Sequence, residues 1–391
     1  MNARYARFTG LVVGFSVGQW IGRAVRERVA NAAPPGLIDW GRAREIAINF
    51  SGGVRLVAEE RERAREQYRH FVEELVPAVA EFIGVPAPQG VSRLYVFDRI
   101  DWIDANLESF AEILRPLEAL IHLPDHPLAR MGALLWTYLG RSAATVEIGM
   151  ALGFLSRRVL GQYDIAVLGR EPVSTGKLYF VEPNVRWVVR AWQLPELDFR
   201  RWLVLHEVTH AFEFETNDWL RDCVNGLIRQ WVESLRRDVS VGRRIVEAVR
   251  AAARGQLRDE LSWIELLMTG EQREIFRSLQ AVMAVIEGYS NYVMRAVGRT
   301  QLPSYDVIER RLEERERMRT PVEQLVLRLT GLDIKLEQYR RGEAFCRAVV
   351  ERYGAEGLRS LWSSPSAFPR YEELGDPDAW YRRVAGSVGT G

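Results

Sequence analysis

Helical periodicity is the feature that most restricts the fold of this 391-residue chain. From Val57 to Ile83, from Leu128 to Leu160 and from 271 to 298, apolar residues recur at the intervals of an amphipathic helix. The first of these runs also carries EERERAREQYRHFVEEL, whose mixed charges suit a solvated helix face. Helices of this kind bury their apolar stripes by packing on one another, so we predict a mainly α fold of many helices.

Residues 162–198 interrupt this pattern. The stretch LYFVEPN is typical of an extended strand that ends at Pro183, and the β-branched and aromatic residues of VRWVVRAW predict further strand. We therefore expect a small β element before a helix that begins near Asp198. The LYFV strand is compatible with two roles, an edge that pairs with an extended peptide and an ordinary structural edge.

Two segments indicate where the chain divides. GVPAPQG at 84–90 breaks the helical pattern and marks a sub-boundary. In residues 1–36, glycines at 10, 14, 18 and 22 would leave one helix face bare for close packing. The apolar run there is too short to span a bilayer, and the charged RAVRERV stretch does not resemble a cleavage region. We predict a soluble packing helix over 1–36, with peripheral membrane contact as the alternative, and a main domain over 37–386.

Composition excludes several classes of partner. The chain has 53 basic and 52 acidic residues and a net charge of +1, which gives no reason to expect a nucleic-acid partner. No dinucleotide fingerprint or Walker loop occurs in the sequence. The two cysteines, Cys223 and Cys346, cannot form a disulfide framework, which fits a reducing compartment. We therefore predict a cytoplasmic protein.

The stretch HEVTH holds two of the five histidines, His206 and His210. Positions i and i+4 of a helix lie about 40° apart around the axis, so two imidazoles there can converge on one ion, and zinc accepts histidine nitrogen readily. Glu207 lies about 100° further round, where its carboxylate can reach a water on the metal without being a ligand. This spacing predicts a zinc site with Glu207 as the general base. The structural alternative is a pair of core histidines at an accidental spacing.

A third ligand should come from another helix, because a catalytic zinc usually has three protein ligands. Glu287 is the best candidate, since it is a carboxylate inside the otherwise apolar run AVMAVIEGYSNYVM. Its alternative role is an ion pair with one of the many arginines. Asn291, one turn further on, is a candidate to orient a histidine from behind.

Several other residues have weaker claims on the site. His70, His122 and His126 are alternative ligands in charged or loop contexts, and Glu213 is displaced along the helix from the ion. Tyr289 and Tyr292 are candidates to donate a hydrogen bond to a developing oxyanion, although tyrosines on an apolar helix usually pack. Cys223 could approach the site from the next helix, but a packed free cysteine is the commoner case.

Four blocks of sequence resemble the zincin-like metallopeptidase family, formerly a domain of unknown function. They are LGFLSRRVLGQYD (152–164), LYFVEPN (178–184), LHEVTHAFEFETNDWLR (205–221) and IEGYSNYVM (286–294). The resemblance implies a zincin-like fold with His206 and His210 as paired ligands, Glu207 as the base and Glu287 as the downstream ligand. This chain departs from the family pattern at ETND before Trp219 and in its long gap between His210 and Glu287.

The expected function is therefore metal-assisted hydrolysis, most simply of a peptide bond, by a zinc ion and Glu207. Some members of the family are associated with coenzyme F420 biosynthesis in actinobacteria, which implies a small amide as another substrate class. A zincin fold that serves as a binding or regulatory module without turnover is the competing class, because a fold does not fix a function.

Overall fold

The computed structural model describes residue 36 and residues 38–118, 127–164, 176–236, 268–317 and 332–388. Within these residues the chain forms eleven α-helices and one three-stranded sheet, which confirms the predicted mainly α fold. The sequence also predicts helices at 240–254, 257–268 and 321–330. Apart from residue 268, these segments lie outside the described residues, as does the glycine-spaced segment 1–35. No helix in the described ranges is long and apolar enough to cross a membrane.

The helices and strands are numbered separately in chain order. The helices are α1 (Trp40–Ser51), α2 (Ala58–Ile83), α3 (Arg99–Glu118), α4 (Pro127–Ser156), α5 (Glu182–Ala191), α6 (Glu196–Glu215), α7 (Asp218–Arg236), α8 (Gly270–Gln301), α9 (Tyr305–Arg317), α10 (Leu332–Arg359) and α11 (Pro377–Val388). The strands are β1 (Leu94–Phe97), β2 (Gly161–Asp164) and β3 (Lys177–Val181). Short 3₁₀ turns occupy Gly90–Ser92, Ser360–Trp362, Pro365–Ala367 and Glu372–Gly375.

The prediction of strand in VRWVVRAW is wrong, because these residues lie largely in helix α5. Strand β3 ends at Val181, and Pro183 lies in the first turn of the helix, where its fixed φ and missing N–H are tolerated. Val185, Val188 and Val189 are buried on one helical face. Their i, i+3, i+4 spacing decided the structure over the β-propensity of the individual residues.

The sheet has the order β1-β3-β2, with β1 parallel and β2 antiparallel to the middle strand. LYFV therefore forms the central strand, so neither of the two edge roles predicted for it, peptide pairing or an ordinary structural edge, is correct. The edge that lies near the histidine helix is β2, whose Gly161 is opposite Phe180. This strand is only four residues long and has no pattern that predicts it from the sequence.

Helix α6, which carries HEVTH, is buried on most of its circumference. It packs against α2, α7, α8 and β2, and its buried residues include Phe199, Leu203, Val208 and Phe212. It begins after Pro195 with two acidic residues in its first turn, which favour a helix amino end. A helix enclosed in this way holds its side chains in fixed directions.

A buried polar cluster fixes the start of α6 against its neighbours. Arg200 on α6 lies 2.6 Å from Glu182 on α5, and the other oxygen of Glu182 accepts a hydrogen bond from Tyr68 on α2 at 2.9 Å. All three side chains are almost fully buried. A buried polar atom without a hydrogen-bond partner costs free energy, and each of these contacts supplies such a partner. The cluster therefore favours one arrangement of these three helices.

Glycines allow two helix pairs to approach closely. Gly149 and Gly153 allow α4 to pack closely on α1, because an added Cβ would lie within 2.8 Å of the α1 backbone. Gly288 on α8 and Gly342 on α10 face one another, and a Cβ at Gly288 would lie 2.1 Å from the carbonyl carbon of Gly342. The second crossing lies directly beside Glu287.

Candidate metal centre

Three ligand atoms from two helices converge at one point. His206 and His210 project from the same stripe of α6, and their Nε2 atoms lie 3.2 Å apart. Oε2 of Glu287, on α8, lies 3.8 Å from Nε2 of His206 and 3.9 Å from that of His210. Within the described residues this trio is the group of potential ligands close enough to share one metal ion.

The spacing of these atoms fits a tetrahedral ion. Nitrogen and oxygen ligands about 2.0–2.1 Å from zinc lie roughly 3.3 Å from one another, so only small movements would be needed. Two neutral imidazoles and one carboxylate also form a donor set typical of catalytic zinc, with a fourth position left for water or substrate. The residues therefore fit a metal ion in both chemistry and geometry.

The remaining nitrogen of each imidazole meets a different partner. Nδ1 of His210 lies 2.7 Å from Oε2 of Glu213, whose side chain is fully buried. Nδ1 of His206 lies 3.2 Å from the hydroxyl of Ser290 and 3.1 Å from the sulfur of Met294. Partners behind Nδ1 hold the proton on that nitrogen and leave the lone pair of Nε2 directed at the centre.

Negative charge surrounds His210. Burial lowers its pKa, but the carboxylates of Glu213, Glu287 and Glu207 outweigh this effect and raise the pKa to about 9. For the carboxyl group of Glu213, burial has the opposite effect and raises the pKa to about 7, although the neighbouring His210 opposes this shift. A proton on His210 partly compensates the carboxylates in the metal-free protein, and a divalent cation would replace it.

Glu207 is buried beside the trio and does not belong to it. Its carboxylate lies against strand β2, since a Cβ added to Gly161 would be 2.8 Å from Oε1 of Glu207. Its charge acts on His210, which places it near the ligands. This is the arrangement expected of a base that works beside a metal rather than on it.

The predicted auxiliary residues are placed differently. Among the described residues Asn291 forms no hydrogen bond with either histidine, and its neighbour Ser290 contacts His206 instead. Tyr289 is buried with its ring edge-on to Trp362, and the ring of Tyr292 packs near Phe82. Both tyrosines have a raised pKa, chiefly through burial, so both remain protonated at neutral pH.

The weaker candidates that the structure describes do not join the trio. His70 is exposed beside Phe71, and His122 and His126 lie outside the described residues. Cys223 packs against the hydrophobic core, and burial raises the pKa of its thiol.

Two contacts of the histidines were not predicted from the sequence. Glu213 was weighed as a ligand for the ion, whereas its i, i+3 spacing from His210 indicates that the two side chains meet. The second contact is with Trp202, whose ring stacks on that of His206 with centroids 6.1 Å apart and an interplanar angle of 4°. The i, i+4 spacing of these two residues was the available signal.

Comparison with known proteins adds two findings. The profile of a family described as zincin-like metallopeptidase matches residues 38–381. A crystal structure from Chloroflexus aurantiacus, described as "a putative hydrolase with a novel fold", is 38% identical in sequence and has a TM-score of 0.64. This similarity covers 89% of the present chain and 99% of the other. Among the curated proteins, none matches the chain.

Proposed function

The chain belongs to the zincin-like metallopeptidase family, and from this membership and the metal centre we propose that it is a zinc-dependent peptidase. The observation that carries the proposal is the convergence of His206, His210 and Glu287 on one point with Glu207 beside them. A dead site would most simply have lost Glu207, whereas this chain keeps both the ligand set and the base.

Zinc, when bound, polarises a carbonyl group and lowers the pKa of a water molecule. The residues of the chain supply the rest of the chemistry. Glu207 accepts the proton of the attacking water and delivers it to the leaving amine. Glu213 and Ser290 keep the two imidazoles in the tautomer that binds a cation.

Strand β2 supports an extended peptide as the substrate. Val181 N donates a hydrogen bond to Leu160 O at 2.8 Å. In the alternating pattern of an antiparallel ladder, the main-chain groups of Gly161 and Tyr163 then point away from β3, along an edge that pairs with no strand among the described residues. Gly161 also adjoins Glu207. A peptide that pairs with this edge would therefore pass the base.

The test is cleavage of an unbiased peptide library by zinc-loaded protein, compared with Glu207→Gln. The variant keeps the side-chain shape and removes the proton acceptor, so it should keep its zinc and lose about two to four orders of magnitude in rate. Glu274→Gln, an exposed position on α8, is the matched control and should cleave at the parental rate.

Two results would replace the peptidase proposal. Cleavage of small amides without cleavage of any peptide would favour a hydrolase that acts on a small metabolite. The association of some family members with coenzyme F420 biosynthesis points to this class of substrate. Zinc-loaded protein that cleaves neither class would favour a binding or regulatory module and leave only the metal site.

A further inference from the structure

The carboxylate of Glu215, the last residue of α6, is held by three separate segments. Both of its oxygens lie 3.0 Å from the main-chain nitrogen of Gly90. Its Oε1 also accepts hydrogen bonds from the Tyr163 hydroxyl at 2.5 Å and from Gly176 N at 3.3 Å. One side chain therefore ties the end of the histidine helix to the turn before β1, to β2 and to the chain just before β3.

Two of these contacts require glycine. A Cβ at Gly90 would lie 1.9 Å from Oε1 of Glu215, and a Cβ at Gly176 would lie 2.3 Å from the ring of Tyr163. The Tyr163 hydroxyl also accepts a hydrogen bond from Gly176 N at 3.1 Å. Burial and the neighbouring Glu215 raise the pKa of Tyr163 far above its usual value, so the phenol remains a donor.

Strand β2 therefore meets α6 at two carboxylates. Gly161 packs closely against Glu207, and Tyr163 donates a hydrogen bond to Glu215. Eight residues separate the two glutamates, which corresponds to about 12 Å along the helix axis. Contact at both glutamates limits how far the strand can turn or slide on the helix.

We infer that Glu215 and Tyr163 are positioning residues that hold the outer edge of β2, the edge that faces away from β3, in register with Glu207 and the metal ligands. This inference rests on the proposed function, in which a substrate pairs with that edge. Neither residue touches the reacting atoms. They act through the strand, because a strand that could shift would carry the scissile bond away from the centre.

Binding of two hydroxamates to zinc-loaded protein tests the inference without catalysis. Acetohydroxamate chelates the metal alone, whereas acetyl-trialanine hydroxamate adds a main chain that can pair with β2. In Tyr163→Phe and Glu215→Gln the affinity for acetohydroxamate should stay within about twofold of the parent, and that for the peptidyl compound should fall about tenfold or more. Tyr353→Phe is the matched control, because it removes a tyrosine–carboxylate hydrogen bond to Asp378 elsewhere in the protein.

The outcomes separate the two claims. If the parent protein binds the peptidyl hydroxamate no more tightly than acetohydroxamate, edge binding fails and the positioning role falls with it. If the parent prefers the peptidyl compound and both variants keep that preference, the positioning inference alone is wrong. Zinc content and thermal unfolding of both variants are measured first. If Glu215→Gln does not fold, the test rests on Tyr163→Phe, which is the milder change.

Discussion

The Nδ1 atom of His210 lies 2.7 Å from a carboxylate oxygen of Glu213, which is fully buried about one turn further along the same helix. The other oxygen of this carboxylate has no hydrogen-bond partner among the described residues. Glu213 thus directs its hydrogen bonding at one ligand of the metal centre. A single helix supplies both the ligand and the group that orients it.

Replacing Glu213 by glutamine should weaken zinc binding by about 10- to 100-fold when measured above about pH 9, where His210 is deprotonated in both proteins. The variant retains a polar group near Nδ1 of His210, but it loses the negative charge that makes the imidazole a stronger ligand. Competition with a chromophoric chelator measures the dissociation constant directly. Ser290→Ala is the comparison, and it should weaken binding less, because Ser290 is neutral and lies farther from its histidine, at 3.2 Å. Equal losses in the two variants would contradict the special role of Glu213.

Zinc affinity should depend on pH through His210. In the metal-free protein the pKa of this residue is raised to about 9, so below that pH an incoming ion must displace a proton. The apparent affinity should therefore rise with pH, by up to about tenfold per unit between roughly pH 7 and 8.5, and level off above about pH 9. In Glu213→Gln the pKa of His210 should fall toward its ordinary value of about 6.5, and the plateau should begin at lower pH. Chelator competition across this pH range measures the zinc affinity of both proteins. Plateaus that begin at the same pH in the parent and in Glu213→Gln would refute the prediction.

Because α8 and α10 cross so closely, adding a single methyl group at the crossing should lower the stability of the fold. Gly288→Ala would place a Cβ 2.1 Å from the carbonyl carbon of Gly342, and neither backbone can yield without moving its helix. We expect a loss of about 1–3 kcal/mol in stability, together with weaker zinc binding as Glu287 shifts. Gly226→Ala on α7, whose Cβ would have no described atom within 4 Å, should instead be stabilising by up to about 1 kcal/mol. Denaturant unfolding of both variants provides the measurement, and equal stabilities would count against the packing argument.

The sequence predicted those parts of the site that depend on spacing within one helix. His206 and His210 share a stripe because of the helical repeat, and Glu287 was conspicuous as one carboxylate in an apolar run. The sheet order could not be derived in the same way, since β1 pairs with β3 across some eighty residues of intervening chain. Contacts such as Tyr163 with Glu215 depend on that long-range pairing, so their residues carried no local signal.

Local propensity gives the wrong secondary structure where a helix is short. Helix α5 has only ten residues, and its valines resemble a strand unless their three- and four-residue spacing is weighed against their β-branching. Strand β2, at four residues beginning with glycine, is too short for an alternating pattern to be recognised. The choice of Ser290 over Asn291 depended on the rotation of α8 about its axis, which packing against α6 and α10 determines.

The most direct test of the account is the zinc content and zinc affinity of Glu287→Ala beside the parent protein, with the exposed Glu274→Ala on the same helix as the control. Because Glu287 is the ligand that joins α8 to the histidine helix, the parent and the control should each bind one zinc ion per chain with the same dissociation constant. Glu287→Ala should bind zinc at least about tenfold more weakly. A Glu287→Ala protein that holds one full equivalent of zinc with parental affinity would contradict the three-ligand centre.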